Sequence, residues 1–224
     1  MKKTINFSIY GDSPKYLVGM TKNIELAKEL YSDWIVRICY NETVPQYIQD
    51  HYKSYDNVEL VDMSNQTLPG MVWRFLPFDS NVFIVRDSDS RLSKRDVSAV
   101  NEWLDSDKTL HILRDHPHHN HKILGGMWGF KTNNNFNFET EIKKYFSEEN
   151  YNLFQRMLDM NFLREVVYEK YKNDSMVHDS LFDIDSHSQG FSVKMDDYKF
   201  IGEIFDENDN RSWEYKKWVN LKEK

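Results

Sequence analysis

Apolar and polar positions along the first hundred residues switch between two periods. Phe7-Ser8-Ile9-Tyr10 reads as a strand running into the turn cluster Gly11-Asp12-Ser13-Pro14. Over 16–30, Leu17, Met20, Ile24, Ala27 and Leu30 recur at helical spacing and predict an amphipathic helix lying on a sheet. The apolar run 34–40 predicts the next strand, so the whole reads as a βαβ unit with parallel strands and a right-handed crossover. A helix is expected over 45–55, with Thr43 as cap and Pro45 near its first turn, and a strand over 57–61. Trp73-Arg74-Phe75-Leu76 falls on a helix or loop before the buried strand Val82-Phe83-Ile84-Val85. Helix 93–104 follows, with Ser93 as N-cap and Asp96 three residues on.

Later elements are less regular. A strand starts at Leu110 and ends in a histidine-rich loop, and Asn133-Asn134-Asn135 reads as loop. The chain is helical through Phe154-Gln155-Arg156-Met157-Leu158 and Phe162-Leu163, irregular over 168–185, and forms a short strand and acidic loop over 200–210. Alternating strands and helices place the chain in the α/β class, with a central mostly parallel sheet flanked by helices. The length of 224 residues fits one domain with a sizeable core.

Composition narrows the function. A formal net charge of -7 argues against a general nucleic-acid binder, which needs a basic face, but not against a local phosphate site. No apolar run is long enough for a signal-peptide core or a bilayer span, so a cytoplasmic protein is expected, with peripheral attachment to a membrane left open. The lone cysteine, Cys39, lies in an apolar run and reads as a small buried hydrophobe. Aromatic residues make up 15% of the chain, fitting either a dense core or sugar-stacking surfaces.

The chemistry concentrates in Arg86-Asp87-Ser88-Asp89-Ser90-Arg91, which a buried strand delivers to its carboxyl end, where ligands sit in open α/β sheets. With Ser88 extended, the two aspartates would point to opposite sides, so sharing a metal requires a turn there. Two hard oxygen ligands suit Mg²⁺ or Mn²⁺ completed by water and phosphate oxygens, and the flanking arginines suit phosphate. The alternative is a polar loop in which Asp87 or Asp89 caps the next helix. Residues 7–11 would line a nucleotide pocket at the mouth of the first strand, though without a dinucleotide or P-loop fingerprint. Arg74 is either a snorkelling side chain or an anion ligand. Arg114-Asp115 forms a buried ion pair, or else Arg114 meets a diphosphate and Asp115 an acceptor hydroxyl. His116-Pro117-His118-His119-Asn120-His121 lacks zinc spacing and reads as a solvated loop, His111 as a structural core histidine, and His178 as a possible return to the crevice as metal ligand.

In combination, the initial Phe-Ser-x-Tyr-Gly strand, Trp34, Trp73-Arg74-Phe75 and the Arg-Asp-Ser-Asp-Ser-Arg loop resemble GT-A-type glycosyltransferases. His111-Ile112-Leu113-Arg114-Asp115-His116-Pro117, Gly125-Gly126-Met127-Trp128-Gly129 and His178-Asp179 extend the resemblance to residues 7–206, and more narrowly to a glycosyltransferase-like group of bacteria and large viruses. The resemblance implies a GT-A-like sheet carrying a nucleoside-diphosphate sugar, with Mn²⁺ or Mg²⁺ on its diphosphate. It makes Asp87 and Asp89 the metal and nucleotide contacts, with His178 a late ligand. It also assigns Phe7, Ser8 and Tyr10 to the base and ribose, Arg74 and Arg91 to the diphosphate or donor sugar, and Gly125 and Gly126 to the border of the sugar site. Residues 1–92 would form the nucleotide-binding part, 93–210 the part for donor sugar and acceptor, and 211–224 a tail. Asp159-Met160 departs from the Asp-Gln that related transferases often carry, and Met160 cannot make a glutamine's hydrogen bonds.

The expected reaction is metal-dependent transfer of the sugar to a hydroxyl acceptor, with a glycan as the expected acceptor. Arg74 would stabilise the departing diphosphate, and Asp115 first or Asp159 second would serve as base. A donor-binding protein without turnover and a metal-dependent phosphoesterase are the rival readings.

Overall fold

The structure is a computed structural model describing residues 1–147 and 157–213. The expected helical turn at 154–156, the distal part of the tail and Trp218 lie outside the described residues. A seven-stranded sheet forms the centre, from β1 (Lys3–Ile9), β2 (Ile35–Tyr40), β3 (Val58–Asp62), β4 (Val82–Val85), β5 (Leu110–Arg114), β6 (Trp128–Lys131) and β7 (Ser175–Asp179), in the order β3-β2-β1-β4-β6-β5-β7. Only β6 runs antiparallel to its neighbours β4 and β5. The chain winds outward from β1 through β2 and β3, then returns to place β4 on the other side of β1. The sheet therefore changes winding direction between β1 and β4, the position where such sheets open a crevice at their carboxyl ends.

Alternation in β1 sets the two layers. Ile5, Phe7 and Ile9 enter one cluster with α1 (Pro14–Leu30), which buries Leu17, Met20, Ile24 and Ala27, and with α4 (Lys94–Asp105), reached after α2 (Gln46–Lys53) and α3 (Gly70–Trp73). The intervening polar residues face the segment after α3: Asn6 donates to the carbonyls of Arg74 and Leu76 (3.2 Å each), and Ser8 Oγ accepts from Arg74 N (3.0 Å). The period-2 pattern of this strand thus positions Arg74. In β4, Val82 and Ile84 join the first cluster, whereas Phe83 and Val85 join a second with Trp128, Phe130, Phe138 and Phe162. That second layer holds α5 (Phe138–Ser147), α6 (Leu158–Phe162), a π-helical stretch (Leu163–Tyr168) and α7 (Glu169–Tyr171). Phe83 meets Trp128 and Phe138 edge-on at 5.4 and 5.5 Å, so much of the aromatic content is core.

Three expectations change. Residues 168–185 are not irregular, because they contain the edge strand β7; Ser175, His178 and Asp179 look misplaced in a strand but are buried with polar partners. Residues 200–210 form turns with one isolated bridge, Phe205 to Arg211, as Gly202 (φ 82°) and Asp209 (φ 62°) reverse the backbone. Thr43 does not cap α2; its hydroxyl accepts from Gly11 N (2.7 Å) and donates to Asn41 Oδ1 (2.6 Å).

Candidate active site

The chain turns at Ser88 and Asp89 immediately after β4, and Ser90 donates to Asp87 O through both its N–H (3.1 Å) and its hydroxyl (2.7 Å). Asn23, wholly buried in α1, fastens this turn: Nδ2 donates to the carbonyls of Ser88 (3.2 Å) and Ser90 (2.8 Å), and Oδ1 accepts from Leu92 N (3.0 Å). Gly19 permits that approach, because a Cβ there would overlap Ser88 O. Held this way, Asp87 and Asp89 both line a cleft of about 530 Å³, within the range of small-molecule sites. Ser8, Tyr10, Arg74, Gly125, Gly126, Asp159 and Met160 line the same cleft.

Each carboxylate of the turn carries a side-chain cation. Arg74 Nη1 donates to Asp87 Oδ1 and to Arg86 O (3.1 Å), and Lys15 Nζ lies 2.6 Å from Asp89 Oδ2. Arg74 Nη2 lies 3.5 Å from Asp159 Oδ2, while its buried Nε has no hydrogen-bond partner among the described residues. Burial pushes the Asp89 and Asp159 carboxyls above their ordinary range; the Asp87 charge raises both further, and Lys15 and Arg74 respectively oppose the rise. A Cβ on Gly126 would overlap Asp87 Oδ2 and one on Gly125 would overlap Asp159 Oδ2, so the two glycines admit carboxylates against the backbone.

Several expected site residues lie elsewhere. Phe7 points into the core under α1, not into the cleft. Arg91 grips the later loop through Asp209 Oδ1 (2.9 and 3.2 Å) and stands 5.1 Å over the Phe205 ring, outside the cleft lining. Arg86 is a buried fork on Asp96 (3.0 and 2.6 Å). Arg114 is likewise buried, but its partners are Asp179 (3.3 Å) and Asp185 (2.8 Å) and not the adjacent Asp115. Asp115 is wholly buried, held by Arg95 (2.9 and 2.7 Å), Ser180 Oγ (2.6 Å) and Ile201 N (2.9 Å), and so does not meet an acceptor as base. His178 is also out of reach of the crevice. Its Nδ1 meets His111 Nε2 and its Nε2 meets Glu102 Oε2, both at 3.0 Å, which removes it as the late metal ligand. His111 stacks on Trp103 at 5.2 Å as a core residue.

Other cleft residues were not foreseen. His116, His118 and His119 line it with Phe200, Gly202 and Ile204, and His116 and His119 are buried, not solvated. Asp115 and Ile201, which are hydrogen-bonded, lie 86 positions apart in sequence, so only the fold brings the histidine turn to Phe200. Lys15 and Asn23 had a legible signal, as polar residues on the first helix beside the crevice, but nothing in their spacing points to the Asp87–Asp89 turn.

Among the described residues, no group of three or more His, Cys, Asp or Glu side chains gathers as a ligand set. The donor chemistry still fits a hard divalent cation that takes two oxygens from protein and the rest from substrate and water, because two carboxylates close enough for one to raise the other face one cleft. Among the described residues, no helix is long and apolar enough to cross a membrane.

No family model and no curated protein matches the sequence. Solved structures match its fold. A mannosyltransferase from Pyrobaculum calidifontis, in complex with GDP-Man and Mn²⁺, aligns over 80% of this chain and 55% of its own, at 12% identity and a TM-score of 0.51. This chain therefore spans little more than half of that protein. An active-site mutant of LgtC aligns over 97% of this chain and 94% of its own, at 10% identity and a TM-score of 0.51. With the sheet order and the crevice between β1 and β4, these likenesses give the chain the fold of the GT-A-type glycosyltransferases.

Proposed function

We propose that this chain is a metal-dependent glycosyltransferase moving a sugar from a nucleoside-diphosphate donor to a hydroxyl of a glycan. The observation that carries the reading is the gathering of Asp87, Asp89, Arg74 and Asp159 in one cleft where the sheet changes winding direction. Asp87 and Asp89 are the proposed ligands for Mn²⁺ or Mg²⁺, the former being the metal of the mannosyltransferase complex. A divalent ion bound there would supply Lewis-acid stabilisation of the leaving diphosphate. Ser8 and Tyr10, at the end of β1, line the cleft and would border the nucleoside, which supports assigning the nucleotide to residues 1–92 and the sugar to 93–210.

Arg74 is held in the cleft wall by Ser8, the Arg86 carbonyl and two carboxylates. A cation fixed in advance stabilises the charge that develops on the departing phosphate without reorganising at the moment of reaction. Asp159 is the remaining base candidate. Burial makes its carboxylate more basic, which suits it to take a proton from an acceptor hydroxyl in the cleft. Gly125 and Gly126 keep the wall beside both carboxylates free of side chains.

The test is turnover: the protein with Mn²⁺ and a panel of nucleotide sugars, GDP-mannose first, assayed for nucleoside diphosphate release with and without saccharide acceptors. Metal-dependent release supports the reading. Met160 in the cleft beside Asp159 favours a second one, donor binding without turnover, for which bound donor and no release is the expected result.

A further inference from the structure

After β5 the chain turns through Asp115-His116-Pro117-His118-His119, and two backbone N–H groups of this turn donate to imidazoles. Asp115 N donates to His119 Nδ1 and His118 N to His116 Nδ1, each at 3.1 Å, and His119 N donates to His116 O at 2.7 Å. A ring nitrogen that accepts a hydrogen bond offers a lone pair, so the proton of each neutral ring sits on Nε2. Protonating Nδ1 would set two N–H groups against each other. At His119 burial acts in the same direction, holding its pKa down to about 3, with the neighbouring histidines repelling a further positive charge.

The rings are also fixed in place. His116 stacks on Phe200 with centroids 4.1 Å apart and planes at 22°, and Ile201 N is tied to Asp115 Oδ2 at 2.9 Å. The Cε1 edge of His119 faces Gly202, where a Cβ would stand 3.5 Å away and where φ of 82° favours glycine. Both histidines line the cleft that holds Asp87, Asp89 and Arg74, yet they bring donors without charge. Phosphate oxygens are matched by cations, whereas an uncharged N–H suits a hydroxyl.

We propose that His119, with His116 beside it, reads the sugar: its neutral imidazole donates from Nε2 to a hydroxyl of the donor's saccharide, leaving the diphosphate to Arg74 and the Asp87–Asp89 turn. The proposal rests on the nucleotide-sugar reading of the cleft and specifies which wall faces the sugar.

Calorimetric titration with a nucleotide sugar and with the matching nucleoside diphosphate, both with Mn²⁺, tests it. In His119→Asn the amide oxygen can still accept from Asp115 N, but no donor remains at the Nε2 position. Affinity for the nucleotide sugar falls roughly tenfold, the loss of one buried hydrogen bond, while that for the nucleoside diphosphate holds within about twofold. His119→Gln, which carries an amide N–H toward Nε2, recovers part of the loss. Equal weakening of both ligands, or of neither, overturns the proposal. The wild-type protein gives a separate readout should a variant not fold. Its preference between two nucleotide sugars of the same nucleoside that differ in one sugar hydroxyl, and so carry the same diphosphate charge, stays flat between about pH 5 and pH 8, and a preference that changes through the ordinary histidine range overturns the neutral-donor role. Absence of any nucleoside-diphosphate binding by the wild-type protein would instead sink the reading of the cleft on which the proposal rests.

Discussion

Two strand ends carry the same dipeptide and use it differently. β4 runs directly into Arg86-Asp87, and β5 closes on Arg114 with Asp115 next. Both arginines are buried and forked onto acids from elsewhere in the chain, Arg86 on Asp96 and Arg114 on Asp179 and Asp185. The aspartates diverge. Arg95 of α4 reaches Asp115 from beneath and closes it off, whereas the partner of Asp87 is Arg74, itself part of the cleft wall, and the Asp87 side chain stays 42% exposed. After β5, His116 and His119 occupy the cleft in place of the aspartate. What separates a structural carboxylate from a site carboxylate is therefore the helix packed below it, a property absent from the local sequence.

The contrast is broken or sharpened first by its arginines. Arg95→Ala strands a wholly buried carboxylate and is expected to cost about 3–5 kcal/mol in urea denaturation, whereas Arg74→Ala, whose nearer partner Asp87 is half-exposed and whose contact with Asp159 is long, costs less, about 1–2 kcal/mol, while donor binding is lost. Equal stability costs would erase the distinction. Replacing both members of the buried pair, Arg95→Met with Asp115→Leu, should cost less than Arg95→Ala alone. Next in size, Gly126→Ala places a methyl group on Asp87 Oδ2; a loss of about 1–3 kcal/mol with weakened donor binding is expected by thermal and binding assays.

Smaller still is a pH effect at Asp89. Its folded pKa is raised, first by burial and then by Asp87, so the stability it contributes is present below the unfolded value near 3.9 and is lost as pH rises through the folded value. Asp89→Asn should therefore gain stability relative to wild type above that window and lose the advantage below it, as melting curves across pH would record. At the bottom of the scale, Lys143→Ala removes an exposed pair with Glu139 and should change stability by less than about 0.5 kcal/mol; a larger loss would mean that surface pairs carry weight here that the cleft comparison assigns to burial.

Legibility followed local determinism. β4 is visible because four consecutive apolar residues are all buried, and α4 because the Ser93 hydroxyl accepts from Asp96 N (3.2 Å) as the spacing implies. β7 was hidden because Ser175, His178 and Asp179 are satisfied by distant partners, which turns a polar stretch into a buried strand. β6 was missed because Trp-Gly-Phe-Lys is short and its glycine faces the Trp103 ring, with no side chain to report a period. At the site, the turn at Ser88 followed from the geometry two aspartates need to face one cleft. The roles expected of Phe7, Arg91, Asp115 and His178 depended on which side of a packed layer each falls, and only the tertiary arrangement decides that.

The central claim is that the Asp87–Asp89 turn makes the cleft a metal-dependent nucleotide site, and thermal denaturation with UDP, GDP and CMP, each with Mn²⁺ and with chelator, tests it most directly. Ligand at about a hundred times its Kd stabilises the native state by about 2.7 kcal/mol. A rise in melting temperature with one nucleotide, abolished by chelator and absent in folded Asp89→Asn, is the predicted result. A rise that ignores the chelator or survives Asp89→Asn, or no rise with any nucleotide, would contradict it.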